Sequence, residues 1–125
     1  MPNEINLPQV LAEVKNIFDA YETALINNNL AVLDQLFWHS DKVVRFGSAE
    51  NLYGIEAIRT FRKSRDTGAL NRCLFNTMIT TFGPDFATTT TEFIRSDQVA
   101  GRQSQTWLRF PEGWRIVSAH VSFIK

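Results

Sequence analysis

Apolar residues recur at helical spacing through the first half of the chain. In the segment LPQVLAEVKNIFDAYETALINNN, one helical face collects Val10, Val14, Ile17, Phe18, Tyr21 and Leu25. Pro8 suits the first turn, and the run Asn27 to Asn29 ends this helix. The segment LAVLDQLFW predicts a second helix, and NLYGIEAIRTFRKSR predicts a third through Ile55, Ile58 and Phe61.

From about residue 70 the pattern changes to one typical of β-strands. Four runs are rich in Thr, Val, Ile and aromatic residues: CLFNTMITTF, FATTTTEFIR, GRQSQTWLRF and GWRIVSAHVSFI. Glycine and proline separate them at short connections, which predicts antiparallel hairpins. A further short strand is predicted at KVVRFGS. We therefore expect a single α+β domain over residues 1–125, a cone-shaped roll with three N-terminal helices packed on a curved, mainly antiparallel sheet.

Composition narrows the possible partners. Thirteen basic residues balance thirteen acidic ones, so nothing in the net charge favours nucleic acid or an anionic membrane. A single cysteine excludes an intramolecular disulfide, and with two histidines it cannot form a closed zinc site, so we expect neither metal nor cofactor. No apolar run approaches the roughly 20 residues of a membrane span, and the first residues do not resemble a signal peptide. We expect a cytoplasmic protein.

Arg45 is the most informative residue of the short strand. It lies between Val43, Val44 and Phe46, where a buried strand would carry an apolar side chain. Burying an unpaired guanidinium is costly, so Arg45 either points to solvent, pairs with an internal acid such as Glu22, or binds a ligand. Nine of the thirteen basic residues are arginine, the side chain suited to bidentate capture of carboxylates.

Several other residues are candidates for the lining of a hollow between the curved sheet and the helices. Trp38 follows the second helix, and Arg62 and Arg65 lie three apart on the third, with Arg62 the better candidate to turn inward. Gln105 and His120 lie on strand faces that mix aromatic and polar groups. Those faces line a pocket, or they meet water or a second subunit. No acidic residue falls on an inward face.

The order of these elements resembles the nuclear transport factor 2-like (SnoaL-like) superfamily, whose last strand is similar to GWRIVSAHVS here. The segments RFGSAENLYGIEAIRTFR, ITTFGPDFATTTTEF and GRQSQTWLRFPEGWRIVSAHVS resemble a narrower bacterial family named for oxalurate catabolism. That family includes a small protein of cyanuric acid degradation proposed to process 1,3-dicarboxyurea. The resemblance implies a homodimer packed through the sheet, a pocket at the open end, and functional roles for Tyr21 and Arg45.

The function predicted from the residues and the resemblance together is the decarboxylation of a small carboxylated urea or amide, such as 1,3-dicarboxyurea to allophanate. Arg45 would hold a carboxylate and Tyr21 would assist proton delivery, in a metal-independent amidohydrolase-type reaction. Trp38, Arg62, Gln105 and His120 would complete the substrate site. Tyr21 is otherwise a core tyrosine, and the alternative function is a non-catalytic module for small-anion binding or assembly. An isomerase or cyclase would need an acidic base in the pocket, which the pattern does not provide.

Overall fold

A computed structural model describes residues 4–65 and 70–124, which form three helices and six strands. The ends of the predicted domain, residues 1–3 and 125, lie outside the described residues, as do residues 66–69. The elements are α1 (Pro8–Ile26), α2 (Leu30–Leu36), β1 (Val44–Phe46), β2 (Asn51–Tyr53), α3 (Ile55–Ser64), β3 (Arg72–Phe82), β4 (Phe86–Arg95), β5 (Ala100–Phe110) and β6 (Gly113–Phe123).

The first helix begins and ends where the sequence predicts, whereas α2 begins as predicted but ends at Leu36, so the helical assignment of Phe37 and Trp38 is wrong. Pro8 opens α1, and the buried face of this helix carries the predicted apolar stripe, including Tyr21. The asparagine run ends α1, since Asn28 takes a left-handed backbone conformation with φ of 50°. Asn29 then caps α2 by accepting a hydrogen bond from the Val32 backbone N–H at 3.3 Å. The long first helix therefore places Tyr21 firmly against the interior.

The third helix is shorter than its predicted segment. Residues Asn51–Tyr53 form strand β2, which pairs antiparallel with β1, so the helical assignment of these three residues is wrong. Gly54 explains the break, because its φ of 85° is a left-handed conformation that side chains disfavour. Its N–H donates to the Val43 carbonyl at 2.7 Å, and α3 begins at the next residue.

One six-stranded sheet has the order β2-β1-β6-β5-β4-β3. Strand β1 runs parallel to β6, and every other pair of neighbours is antiparallel. The core lies between the inner face of the sheet and the helices, with Trp107, Phe37 and Leu33 among its fully buried side chains. The α+β fold of three helices on a curved, mainly antiparallel sheet is thus confirmed. None of the helices in residues 4–65 and 70–124 is long and apolar enough to cross a membrane.

Candidate functional site

A cavity of about 180 Å³ opens between α1, the end of α3 and the inner face of the sheet. This volume matches the space of roughly six water molecules at about 30 Å³ each, which suits a small metabolite. Its polar lining comprises Tyr21, Arg45, Ser48, Glu50, Arg65, Arg72, Arg95 and Gln103, and its apolar lining includes Phe61, Phe93, Val121 and Phe123. Tyr21 and Arg45, predicted on separate elements, therefore meet at one cavity.

Arg45 points inward and already has an acidic partner. Its side chain is 9% exposed, and its Nη1 donates to Oε2 of Glu50 at 3.0 Å. The guanidinium also lies 5.0 Å from the centre of the Phe61 ring. The turn from β1 to β2 brings Glu50 back over Gly47, where a Cβ would overlap the Glu50 carboxylate. The prediction that a ligand alone would balance Arg45 is wrong, because this turn supplies a carboxylate.

A second ion pair lies beside Tyr21 on the inner face. Arg72 donates from Nε and Nη2 to the two carboxylate oxygens of Glu22, each at 2.7 Å, and its Nη2 also donates to Oε1 of Gln103 at 2.9 Å. The guanidinium lies 4.4 Å from the centre of the Phe93 ring. Glu22 therefore pairs with Arg72 and not with Arg45. The expectation of no inward acid is also wrong, since Glu22 is buried and Glu50 lines the cavity.

Two further arginines at the end of α3 have no carboxylate partner among the described residues. All three guanidinium nitrogens of Arg62 are buried without a hydrogen bond, as are Nε and Nη2 of Arg65. Arg62 is 4% exposed and lies over the Phe37 ring, whereas Arg65 lines the cavity. Burial, followed by repulsion from Arg62, lowers the pKa of Arg65 to about 10. Both face the interior, but the cavity wall is formed by Arg65 and not by the favoured Arg62.

The Tyr21 phenol lies within this cluster of guanidinium groups. Burial alone would raise its pKa, but the positive charges of Arg62, Arg45 and Arg72 outweigh burial and lower the pKa below the ordinary 10.0. Arg62 exerts this effect from close by, although none of its nitrogens makes a hydrogen bond of ordinary geometry to the described residues. A phenol with a lowered pKa is a stronger acid and hence a better proton donor.

Three of the predicted substrate-binding residues lie outside the cavity wall. Trp38 stacks on Phe110 with ring centres 5.7 Å apart, because α2 ends at Leu36 and the chain turns toward the other end of the sheet. His120 is exposed on the outer face of the sheet and meets the edge of Phe46. Gln105 is buried on the inner face, but deeper than the cavity wall. The prediction that all these residues line one cavity is therefore wrong for Trp38, Arg62, Gln105 and His120.

Gln105 belongs to a buried chain of hydrogen bonds. The Trp107 indole donates from Nε1 to Oγ1 of Thr89 at 3.1 Å, and Thr89 donates to Oε1 of Gln105 at 3.0 Å. This order of donors leaves the Gln105 amide nitrogen buried without an acceptor among the described residues. The chain extends the polar character of the inner face from the cavity into the core.

Sequence reasoning missed six residues of the polar wall: Ser48, Glu50, Arg65 as the lining arginine, Arg72, Arg95 and Gln103. Gln103 had a detectable signal, since it shares the inner face of β5 with Gln105 at a spacing of two. Arg72 begins a strand, where a charged residue is ordinarily solvated, and Glu50 lies in a turn. Only the folded register brings these two side chains to the cavity.

The donors and acceptors of the cavity determine what it can hold. Guanidinium groups, an amide N–H and a phenol dominate its polar wall, so it suits a ligand rich in acceptor oxygens. Within residues 4–65 and 70–124, no three His, Cys, Asp or Glu side chains are grouped so as to hold a metal ion.

Comparison with known proteins identifies close relatives of this chain. A family model described as AtzH-like matches residues 3–125. A crystal structure of a protein of unknown function from the DUF3225 family of Pectobacterium atrosepticum is 54% identical, covers 100% of this chain and 98% of its own, and has a TM-score of 0.96. A cystatin-like fold protein from Burkholderia xenovorans is 46% identical over 98% of this chain and 97% of its own, with a TM-score of 0.94. No curated protein matches the sequence.

More distant structures share the fold alone. A nuclear transport factor 2-like superfamily protein from Salmonella enterica is 22% identical, covers 94% of this chain and 92% of its own, and has a TM-score of 0.75. These distant likenesses show the fold that the sequence predicts.

Proposed function

Because this chain belongs to the AtzH-like family, within the nuclear transport factor 2-like superfamily, and its cavity gathers arginines around a tyrosine, we propose that it decarboxylates a small dianionic carboxylated urea or amide. A compound such as 1,3-dicarboxyurea, converted to allophanate, fits this proposal. The fold alone is compatible with many activities, so the proposal depends on the cavity.

The observation that carries the proposal is the pair of arginines without carboxylate partners. Arg45 and Arg72 each form an ion pair with a glutamate, whereas Arg62 and Arg65 form no ion pair with a described residue. Buried charges are ordinarily paired, because an unpaired one loses its hydration without compensation. A ligand carrying two negative charges would neutralise this excess, which favours a dicarboxylate over a monocarboxylate.

The reaction needs a positioned anion and a source of protons. In an N-carboxylate the C–N bond breaks, its electron pair goes to nitrogen, the nitrogen takes up one proton, and carbon dioxide leaves. One carboxylate becomes carbon dioxide and one proton is consumed in each turnover. Arg65 and Arg45 line the cavity and would hold carboxylate oxygens, while the Tyr21 hydroxyl would deliver the proton to nitrogen.

The arginines would also make Tyr21 a more effective acid. Their positive charges lower its pKa, which brings proton donation closer to the operating pH. Solvent at the mouth of the cavity would return the proton after each turnover. Arg62, which lies behind the wall, would act through this field and not by touching the substrate.

The narrower assignments from the sequence belong to the same proposal. They are membership in the oxalurate-catabolism family, an amidohydrolase-type role in nitrogen catabolism, a homodimeric state, a cytoplasmic location, and action without nucleic acid or membrane partners.

A second candidate function, non-catalytic binding of small anions, is favoured by the ion pair between Arg45 and Glu50. This pair neutralises part of the cavity wall from within, and such neutralisation also suits a module that only binds a small anion. Under this alternative the cavity would bind dicarboxylates but would not alter them.

The decisive test is turnover by the purified protein. The substrate, 1,3-dicarboxyurea, is generated in the assay by an enzyme that forms it. We expect the purified protein to release allophanate and carbon dioxide from it faster than spontaneous decarboxylation does. Tyr21→Phe removes only the hydroxyl and should lower the rate by roughly 10² to 10⁴. Arg45→Lys keeps the charge but loses the planar fork, so its turnover should also fall.

Matched controls separate chemistry from folding. Tyr53→Phe alters the other tyrosine, which is 65% exposed on β2, and should leave turnover unchanged. Dicarboxylate binding with no turnover by the wild type would replace the enzyme with the binding module. Wild-type turnover in both folded variants, Tyr21→Phe and Arg45→Lys, would refute the assigned roles.

A further inference from the structure

The orientation of the Gln103 amide is determined by its neighbours. An arginine can only donate hydrogen bonds, so the end of the amide that faces Arg72 must be the carbonyl oxygen. Arg72 is itself held by both carboxylate oxygens of Glu22. The chain from Glu22 through Arg72 to Gln103 therefore presents the amide NH₂ group at the opposite end.

That NH₂ group has no acceptor among the described residues. The Gln103 side chain lines the cavity, the residue is 3% exposed, and its Nε2 is buried without a hydrogen bond. A buried donor without a partner destabilises the folded state, so such groups in native proteins are nearly always satisfied. A ligand with an oxygen acceptor at this point would satisfy the Gln103 amide.

Sheet topology places this donor between two arginines. Strand β5 carries Gln103. In the sheet it lies between β1, which carries Arg45, and β3, which carries Arg72, with β6 and β4 intervening. Neighbouring strands are about 4.8 Å apart, so the amide lies within the span of the cavity and not at either edge. The charged groups suit carboxylates, whereas a neutral amide donor suits a neutral carbonyl oxygen.

We propose that Gln103 is a substrate-binding residue that donates a hydrogen bond from Nε2 to a carbonyl oxygen at the centre of a dianionic ligand. The proposal rests on the proposed function for the dianionic character of the ligand. It adds a requirement that charge alone does not impose: the two carboxylates must flank a carbonyl group. Gln103 would thereby discriminate carboxylated ureas and amides from plain aliphatic dicarboxylates.

Two commercially available dicarboxylates differ only in whether they carry a central carbonyl group. Glutarate and 3-oxoglutarate have the same chain length and two carboxylates, but only 3-oxoglutarate has a central carbonyl. Isothermal titration of the wild type, with cold and freshly dissolved ligands, should show tighter binding of 3-oxoglutarate by about three- to tenfold, as one net hydrogen bond predicts. In Gln103→Met this preference should disappear while glutarate affinity is retained.

The control and the contrary outcomes of this titration differ from those of the turnover experiment that tests the proposed function. Gln35→Met, an exposed substitution on α2, should retain the preference. Equal affinity of the wild type for the two ligands overturns the role of Gln103, whether or not Gln103→Met folds, and leaves decarboxylation intact. A clear preference without any turnover of 1,3-dicarboxyurea supports Gln103 and overturns the decarboxylase. Binding of neither ligand overturns the role of Gln103, and the decarboxylase is then decided by the turnover of 1,3-dicarboxyurea alone.

Discussion

At the scale of single residues, the site depends on opposing effects at Tyr21. Complete burial favours the neutral phenol, whereas the neighbouring arginines favour the phenolate, and the arginines prevail. The sequence already predicts that Tyr21 is inward, because it lies on the apolar stripe of α1. The direction of its pKa shift could not be predicted, since Arg62 and Arg72 reach it only through the tertiary fold.

Tyr21 should titrate below its ordinary pKa of 10.0. In Tyr53→Phe it is the only tyrosine, so the ¹³Cζ signal of labelled tyrosine reports Tyr21 alone. Bound glutarate should raise the midpoint, because its negative charges offset those of the arginines. A midpoint at or above 10 in the free protein would contradict the electrostatic account.

The same shift has a consequence for stability. The pKa of Tyr21 is lower in the folded than in the unfolded state, so between the two pKa values the folded protein binds fewer protons. This contribution to stability is fully present above pH 10 and is lost as the pH falls through the folded-state pKa. Tyr21→Phe should abolish this part of the pH dependence, which denaturant unfolding at several pH values can measure.

Arg65→Met should weaken the binding of glutarate by roughly 10- to 150-fold, the range for hydrogen bonds to charged groups. Arg65 lines the cavity and has no described carboxylate partner, so its charge is available to a ligand. Lys63→Met is the matched control, because it removes the same charge from an exposed position two residues earlier. Equal losses in the two variants would mean that only the net charge matters.

At the scale of the elements, the sequence predicts most of the fold but not the detailed lining of the site. Hydrophobic periodicity correctly predicts the helices and the four long strands, because their burial is set by local pattern. Strand β2 was not predicted, because three residues before a glycine are too few for hydrophobic periodicity to distinguish a strand from a helix. His120 was placed on the wrong face because the pairing of β5 with β6 shifts register between Thr106 and Trp107. Trp114 and Ile116 therefore share the inner face with Ala119, and strict alternation from Trp114 to His120 fails.

The turn between β1 and β2 controls the availability of Arg45. Gly47→Ala would place a methyl group where the Glu50 carboxylate now lies, and the flexible Glu50 side chain would have to move away from Arg45. We expect thermal stability to fall, because the buried Arg45 guanidinium would lose its ion pair, and glutarate affinity to rise, because Arg45 would lose its internal competitor. Glu50→Gln should act in the same direction by removing the charge.

Calorimetric titration and thermal unfolding of both variants test this role of the turn. If Gly47→Ala and Glu50→Gln fold but bind glutarate no more tightly than the wild type, Glu50 does not compete with the ligand. Asp85, which pairs with Arg109 at the turn before β4 and away from the cavity, offers a control through Asp85→Asn. That variant should leave glutarate affinity nearly unchanged.

At the scale of the whole molecule, a net charge of zero conceals an uneven distribution. The basic and acidic residues balance over the chain, yet Arg45, Arg62, Arg65 and Arg72 converge around Tyr21, where the described part of the chain pairs two of them with glutamates. Composition predicts no general affinity for polyanions, but it could not reveal a local anion site. Only the fold, which joins α3, β1 and β3, creates that concentration of charge.

The outer face of the sheet leads to the last prediction, that the protein is a homodimer. Alternation along β3 and β4 puts Phe75, Met78, Phe86 and Ile94 on this face, and each is 39% to 63% exposed. Large apolar side chains exposed along one open sheet face are typical of an interface. Sedimentation equilibrium at micromolar concentration should give twice the chain mass of 14.3 kDa. Met78→Asp should shift the protein toward the monomer, because pairing would bury its charge, whereas Ala12→Asp on the exposed side of α1 should not. If the wild type sediments only as a monomer, the homodimer prediction is wrong and this face of the sheet is exposed to solvent.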